Sequence, residues 1–279
     1  MDPMVTELGW ASYRQGTVDS WRGESHIRLE DYVAEEVPIA LVYNTRPHVV
    51  MLATPLNLKD FALGFSLTEE IVLDSAELMY IRVVQRAKGI EVRMRIPPHR
   101  FALIENKSRN MTGRTGCGLC GATTLDQAIR KPHPVGKGFS LDADTMMAAL
   151  AEMQQQQSLH QLTGAVHAAA WLIPNAGIKM IREDIGRHNA LDKLIGTLSR
   201  TNCQFDSGCL LVTSRASYEM VQKAATVGIT IMAAISAPTA LAIKLADECG
   251  LTLIGFARNN KHIIYTHPHR IQHYQSMVS

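Results

Sequence analysis

The sequence predicts an α/β protein in two parts: a small N-terminal α+β hairpin domain and a larger C-terminal domain on a mostly parallel sheet. Three observations carry this reading. Strand-like and helix-like segments alternate from 209 to 266 in a βαβαβ order, which requires a sheet flanked by helices. Upstream, two pairs of Val- and Ile-rich runs are each joined by turn residues, the pattern of β-hairpins. The chain has 279 residues, 46% hydrophobic and 19% charged. That suffices for a sizeable core and excludes a disordered, collagen-like or coiled-coil chain.

Residues 1–30 lack periodicity and are expected to form a flexible arm. Residues 31–110 make the N-terminal α+β domain. Its first hairpin spans 38–55, with two apolar runs around Asn44, Thr45, Arg46 and Pro47. Asn57 can cap a helix running to about Val72 with Phe61, Leu63, Gly64, Phe65 and Leu67 on or near its buried side. A second hairpin joins 80–86 to 90–96 through Ala87, Lys88 and Gly89, and its alternation puts arginines on one face. A short helix over 99–107 leads to a cysteine loop, 111–121. The C-terminal domain, 122–279, opens with helices over 123–131 and 143–156. A strand pair follows, 168–174 and 178–183, then a helix over 187–200. Strand 209–214, helix 217–227, strand 229–236, helix 238–249 and strands 251–257 and 262–266 complete it.

Residues 224–243 are free of charge and about as long as a membrane span. Gly228, Ser236 and Pro238 interrupt them, so they read as a helix end, a buried strand and a new helix, and no membrane insertion is expected. The start of the chain has no basic stretch followed by an apolar run, so no signal peptide is expected. Five cysteines, an odd number in a long chain, suit a reducing, cytoplasmic compartment. The formal net charge of +2 gives no support for nucleic-acid binding. It conceals an asymmetry: residues 82–114 hold nine Lys or Arg against two Glu, a net of +7, so the remainder sums to −5. This is either a solvated hairpin face or an anion-facing surface beside the cysteine loop.

Cys117 and Cys120 form a C-x-x-C within Gly113-Arg114-Thr115-Gly116-Cys117-Gly118-Leu119-Cys120-Gly121. Four glycines in nine residues predict a mobile loop. Arg109 and Arg114 upstream, and the N-terminus of a helix near Thr123, would each favour the reactive thiolate. A structural zinc site normally needs two more ligands, which His133 or His167 could supply, though nothing enforces it. A thioredoxin-like motif would follow a strand rather than a Gly-rich loop. A zinc deaminase needs H-x-E ahead of its cysteines, and no H-x-E occurs in the chain. Cys209 begins an apolar strand and Cys249 ends an apolar helix, so both read as core residues.

Eight collinear blocks narrow these alternatives. They are EEVPIALVYN (35–44), FALGFSLTEEI (61–71), GRTGCGLCG (113–121), LTGAVHAAAW (162–171), EDIGRHNALDKLIG (183–196), SRASYEMVQKAATVGI (214–229), SAPTALAIKLA (236–246) and GLTLIGF (250–256) with IIYTHP (263–268). In these the chain resembles the formate dehydrogenase accessory sulfurtransferases, the FdhD family. The resemblance implies that the C-terminal domain looks like the cytidine deaminase scaffold. It implies a sulfur carrier that takes sulfane sulfur from a cysteine desulfurase as a persulfide on Cys117. The sulfur then passes to the molybdenum cofactor, Mo-bis(molybdopterin guanine dinucleotide), destined for a formate dehydrogenase apoprotein. Cys120 is either a second acceptor or the group that releases the sulfur. The alternative is a non-catalytic chaperone of the guanine-dinucleotide cofactor whose C-x-x-C clasps a metal.

The family's cofactor segment matches Phe256-Ala257-Arg258-Asn259-Asn260-Lys261, at the carboxyl end of a strand, where ligands of open α/β sheets bind. Arg258 and Lys261 suit phosphate; Asn259 and Asn260 suit a tight turn and a base edge. The family often carries Pro-Gly where this chain has Asn-Asn. A guanine nucleotide such as GDP is expected to bind in place of the cofactor, and a homodimer would match its two guanines. Other candidate contacts are His167 among small residues, and Asp184, Arg187 and His188 at a helix start. Their alternatives are a satisfied core histidine and a solvated helix start, with Asp184 as a cap. Ser214 and Arg215 precede another helix and could cradle phosphate, with Glu219 completing its capping.

Overall fold

The computed structural model describes residues 10–108 and 130–273. It begins with an antiparallel ribbon, β1 (Tyr13–Arg22) and β2 (Ser25–Ala34), in unbroken register from Tyr13↔Ala34 to Arg22↔Ser25. From Tyr13 on, the expected flexible arm is therefore regular β-structure. Exposed side chains occupy both faces of the ribbon, so it has no buried stripe and no hydrophobic alternation to announce it.

Strands β3 (Val37–Tyr43), β4 (Arg46–Ala53), β5 (Tyr80–Arg86) and β6 (Gly89–Arg95) form a sheet in the order β4-β3-β6-β5. The two expected hairpins are joined through a parallel β3–β6 pair. Asn44 and Thr45 hold the first turn at positive φ, 45° and 77°, the twist a two-residue hairpin loop needs. Ile39, Leu41, Ile90, Val92 and Met94 point inward. Arg82, Arg93 and Arg95 are exposed, as the alternation predicted. Helix α1 (Leu58–Thr68) packs in the same core, and α2 (Pro98–Ser108) follows β6. Asn57 stands at the N-cap of α1, but in the left-handed region and without a side-chain cap bond.

After β7 (Leu141–Asp142), α3 (Ala143–Gln156) and α4 (Ser158–Thr163) come β8 (His167–Ile173), β9 (Gly177–Asp184) and α5 (Arg187–Arg200). Then β10 (Cys209–Val212), α6 (Tyr218–Thr226), β11 (Ile231–Ala234), α7 (Ala240–Cys249), β12 (Thr252–Arg258) and β13 (Lys261–Ile264) alternate as expected. The six-stranded sheet runs β13-β12-β11-β10-β8-β9. Only β10–β11 and β11–β12 are parallel, so the expected mostly parallel sheet is a mixed one. Short turns close β8–β9 and β12–β13, and such turns can join only antiparallel neighbours. A final strand, β14 (Ile271–Gln272), pairs with β7.

Leu210, Val212, Met232, Ala234 and Leu253 face one side, in a core with Leu194 of α5, Val221 of α6 and Leu245 of α7. Cys209, Leu211, Ile231, Ala233 and Ile254 face the other, against Met146, Leu150 and Met153 of α3. Cys209 and Cys249 are core residues, and burial pushes both thiols up. The uncharged stretch 224–243 divides into the end of α6, β11 and the start of α7. Among the described residues no helix is long and apolar enough to cross a membrane.

The first core continues without a break into the N-terminal sheet. The join is the crossing of α1 over α5. A Cβ on Gly64 would lie 1.7 Å from the Asp192 carbonyl oxygen, and one on Gly196 would lie 1.9 Å from that of Asp60. Backbone touches backbone there, which only glycine permits.

Candidate functional site

The parallel strands β10, β11 and β12 end at one edge of the sheet, and three loops meet there. Ala216 N donates to Ala237 O at 3.2 Å, and Thr239 N to Ala216 O at 3.1 Å, tying the loop after β10 to that after β11. Phe256 N donates to Ser236 O at 3.2 Å, tying in β12. A Cβ on Gly255 would lie 2.7 Å from Pro238 Cδ, so this contact also requires glycine. Because β8 is antiparallel to β10, its start reaches the same edge: Ala168 N donates to Thr213 Oγ1 at 2.9 Å. His167, the residue before Ala168, lies opposite Asp184 at the end of β9, and α5 begins just beyond.

The structure brings most of the expected site residues to this edge but gives them different exposures. His167 is half-buried; burial, then the neighbouring Arg187, His160 and His188, hold its imidazole below the ordinary range. His188 Nε2 lies 2.9 Å from Glu219 Oε2, and the Arg187 guanidinium 4.0 Å from it. Burial would raise the Glu219 carboxyl, but His188 and Arg187 outweigh it and hold it low. Glu219 therefore spans α5 and α6 instead of capping α6, where Ser217 makes no cap bond either. Arg187 Nε has no hydrogen-bond partner among the described residues. Arg215, in the loop between β10 and α6, is exposed.

The tip between β12 and β13 is a tight turn with Asn259 and Asn260 at φ 53° and 54°. Asparagine tolerates this region well, which is how Asn-Asn builds the turn. Arg258 stands directly opposite Lys261 in register. Phe256, Arg258, Asn259, Lys261 and Ile263 line a cleft of about 270 Å³.

Three expected contacts are corrected. Asp184 is fully buried, and both its oxygens are taken by the chain's own donors. Thr54 N, Thr54 Oγ1 and Lys193 Nζ bind one oxygen at 3.0, 2.8 and 2.6 Å; Gly186 N and Asn189 Nδ2 bind the other at 2.8 and 2.9 Å. It is an internal anchor, not a base-edge acceptor. Ala257 is buried in the core under α3, because the irregular register between Gly255 and Arg258 turns it inward. Ser214 is buried, and its hydroxyl donates to the Arg215 carbonyl at 3.0 Å. Cys117 and Cys120 lie outside the described residues.

Sequence reasoning missed a second polar cluster. Lys223 Nζ binds both Asp192 oxygens at 3.0 Å, Glu69 Oε1 at 3.1 Å and Thr68 Oγ1 at 2.9 Å. Arg130, ten residues beyond Cys120, pairs with Glu69, and its carbonyl accepts from Tyr218 OH at 2.6 Å. Each pairing joins residues far apart in sequence, so no local spacing reveals it.

One expectation arises directly. Glu219→Gln removes the carboxylate facing His188 and Arg187 and is expected to cost about 0.5–1 kcal/mol at neutral pH, the range of a partly screened ion pair. Because the folded Glu219 pKa is depressed, its contribution is present above the ordinary carboxylate pKa and lost as pH falls through the folded value. Urea midpoints of the two proteins should therefore converge in acid; a constant gap would contradict this.

The result is an α/β protein, built mainly on a four-stranded and a six-stranded sheet, that gathers histidine, arginine and a basic hairpin at the carboxyl ends of its parallel strands. The chain belongs to the FdhD/NarQ family, whose model matches residues 34–272. It is 49% identical over 261 residues to the sulfur carrier protein FdhD of Cupriavidus necator, covering 94% of this chain and 91% of that protein. The protein of the same name from Xanthomonas euvesicatoria is 47% identical over 255 residues, covering 91% of each. In fold it is similar to a crystal structure of a chain described as a formate dehydrogenase accessory protein from Desulfotalea psychrophila. The TM-score is 0.72 at 22% identity, covering 93% of this chain and 99% of that one.

Proposed function

We propose that this chain is a sulfur carrier serving formate dehydrogenase. The observation that carries the reading is the Gly-rich C-x-x-C at 117–120 in a chain whose curated relatives are named sulfur carriers. The Cys117 thiolate attacks the terminal sulfur of a cysteine desulfurase persulfide. The donor's S–S bond breaks, its cysteine leaves as thiolate, and Cys117 holds the sulfur as a new persulfide. The Cys120 thiolate then attacks the Cys117 sulfur, the Cys117–Cys120 disulfide forms, and the terminal sulfur leaves at the sulfide level for the molybdenum cofactor as substrate, ahead of delivery to the formate dehydrogenase apoprotein.

The hairpin tip suits the cofactor's guanine dinucleotide, or GDP in its place. Arg258 and Lys261 are paired cations for phosphate, and Asn259 and Asn260 offer amides to a base edge. Arg187, His188, Arg215 and His167 extend the polar rim along the same strand ends. The mixed sheet serves as the deaminase-like scaffold, a homodimer would present two such tips to two guanines, and the setting is cytoplasmic. The test is to load the protein with a cysteine desulfurase and cysteine and weigh it. Wild type and Cys120→Ala should gain one sulfur, and Cys117→Ala none. Equal loading of Cys117→Ala would overturn the assignment.

A further inference from the structure

Beside the tip of the β12–β13 hairpin, two histidines from separate elements meet. His262 is on β13, and His273 follows β14. Their Nε2 atoms are 3.0 Å apart, their ring centres 5.2 Å apart, and their planes differ by only 10°. Nearly coplanar rings with these two separations meet end to end, not face to face. In that arrangement one Nε2–H donates to the lone pair of the other Nε2. A neutral imidazole has one N–H and one lone pair, so the contact requires opposite roles from the two rings.

We infer that His262 and His273 form a proton-sharing latch that fastens the segment just after β14 to the outer half of the β12–β13 hairpin and opens on acidification. The latch holds when both rings are neutral, and when one carries an added proton, because an imidazolium N–H can still face a lone pair. A second added proton sets two N–H groups and two positive charges head to head, and the contact is lost. No bond to carbon, sulfur or metal changes; protons come from solvent.

The surroundings fit this role. Register between β12 and β13 is irregular from Gly255 to Arg258, so His262 lies where the ladder is weakest. β14 pairs with β7 through only two residues. Arg270 is pinned by the carbonyls of Gly136, Lys137 and Gly250, which leaves His273 as the tie beyond that anchor. Among the charged groups around the pair, Asp144 in the first turn of α3 acts on His262, and Asp142 on β7 is influenced by His273. Lys261 adjoins His262, with Arg258 opposite it. Burial, then His273, hold the His262 imidazole below its ordinary value against the pull of Asp144. For a histidine held low, stability is present above the ordinary histidine pKa and lost as pH falls through the folded value. The opening window therefore lies on the acid side of about pH 6.5.

This inference concerns the hairpin alone and does not depend on sulfur transfer. The test is hydrogen exchange at the amides of 261–264, corrected for intrinsic rates, with nitrogen-15 NMR of the imidazoles between pH 8 and pH 5. In wild type, protection of these amides should fall roughly tenfold into acid. His273→Ala should be deprotected at both pH values. His273→Gln, which keeps a donor and an acceptor but does not titrate, should stay protected at both. Independent titration of the two rings, or exchange indifferent to pH in wild type, would overturn the latch. So would zinc uptake at neutral pH that either substitution abolishes, since the pair would then be a metal site.

Discussion

Gly64→Ala and Gly196→Ala are each expected to cost more than about 3 kcal/mol, beyond the usual range for overpacking. Helix propensity argues the other way, since alanine in a helix interior is favoured over glycine by about 1 kcal/mol. Geometry decides the sign. The new Cβ at Gly64 would meet the Asp192 carbonyl oxygen at 1.7 Å and Gly196 N at 2.9 Å; that at Gly196 would meet the Asp60 carbonyl at 1.9 Å and Gly64 N at 2.9 Å. These are main-chain atoms, so no rotamer change relieves the clash, and α1 must separate from α5. Against a typical total of about 5–15 kcal/mol, either change removes a large share of stability. The two glycines belong to one contact, so the double variant should cost less than the sum. Urea denaturation measures all three, and a wild-type midpoint for either single variant would refute the close crossing.

Lys223→Met is expected to cost about 3–5 kcal/mol at neutral pH, because it strands buried carboxylates. Lys223 is held charged by Asp192 and Glu69 despite burial, and Asp192 is fully buried. Burial would raise Glu69, yet Lys223 and Arg130 pull it down to about 2. In wild type this depressed carboxylate contributes stability that is present above the ordinary carboxylate pKa and lost as pH falls towards 2. Asp192 is already held above its ordinary value by burial in wild type, and without Lys223 it should rise further, so the variant should regain stability as the pH is lowered from neutral towards about 5. Adding Asp192→Asn should recover part of the loss. Thermal or urea unfolding across pH checks both slopes. A variant that loses stability in acid in parallel with wild type would exclude this account of the network.

Much of the fold was legible because its signals are local. The hairpin at Asn44 and Thr45 sits between alternating apolar runs, and Arg187–Arg200 carries a full helical stripe. What was hidden depends on pairing. Nothing near β8 says that its neighbour β10 runs antiparallel to it. The β1–β2 ribbon buries neither face and so leaves no period in the sequence. Asp184 reads as a cofactor contact or a helix cap, and nothing local marks Asp192, Lys193 or Lys223 as buried, since hydropathy assigns ions to water unless the partner is known. Asp184 meets Thr54, 130 positions away, and Asp192 meets Lys223, 31 positions away. The site was legible at the level of which segments meet at the strand ends. Which side chains face the cleft was not, because the irregular β12–β13 register turns Ala257 inward where a regular strand would not reveal it.

The crossing at Gly64 and Gly196 also has a consequence during synthesis. The two glycines are roughly 130 residues apart, so at elongation rates of about 5–20 residues per second α1 leaves the ribosome roughly 7–26 seconds before its partner helix exists. Through that interval part of its apolar surface has no native cover. The nascent chain thus passes through an obligatory sticky stage, and the N-terminal unit completes its packing only when the C-terminal unit arrives.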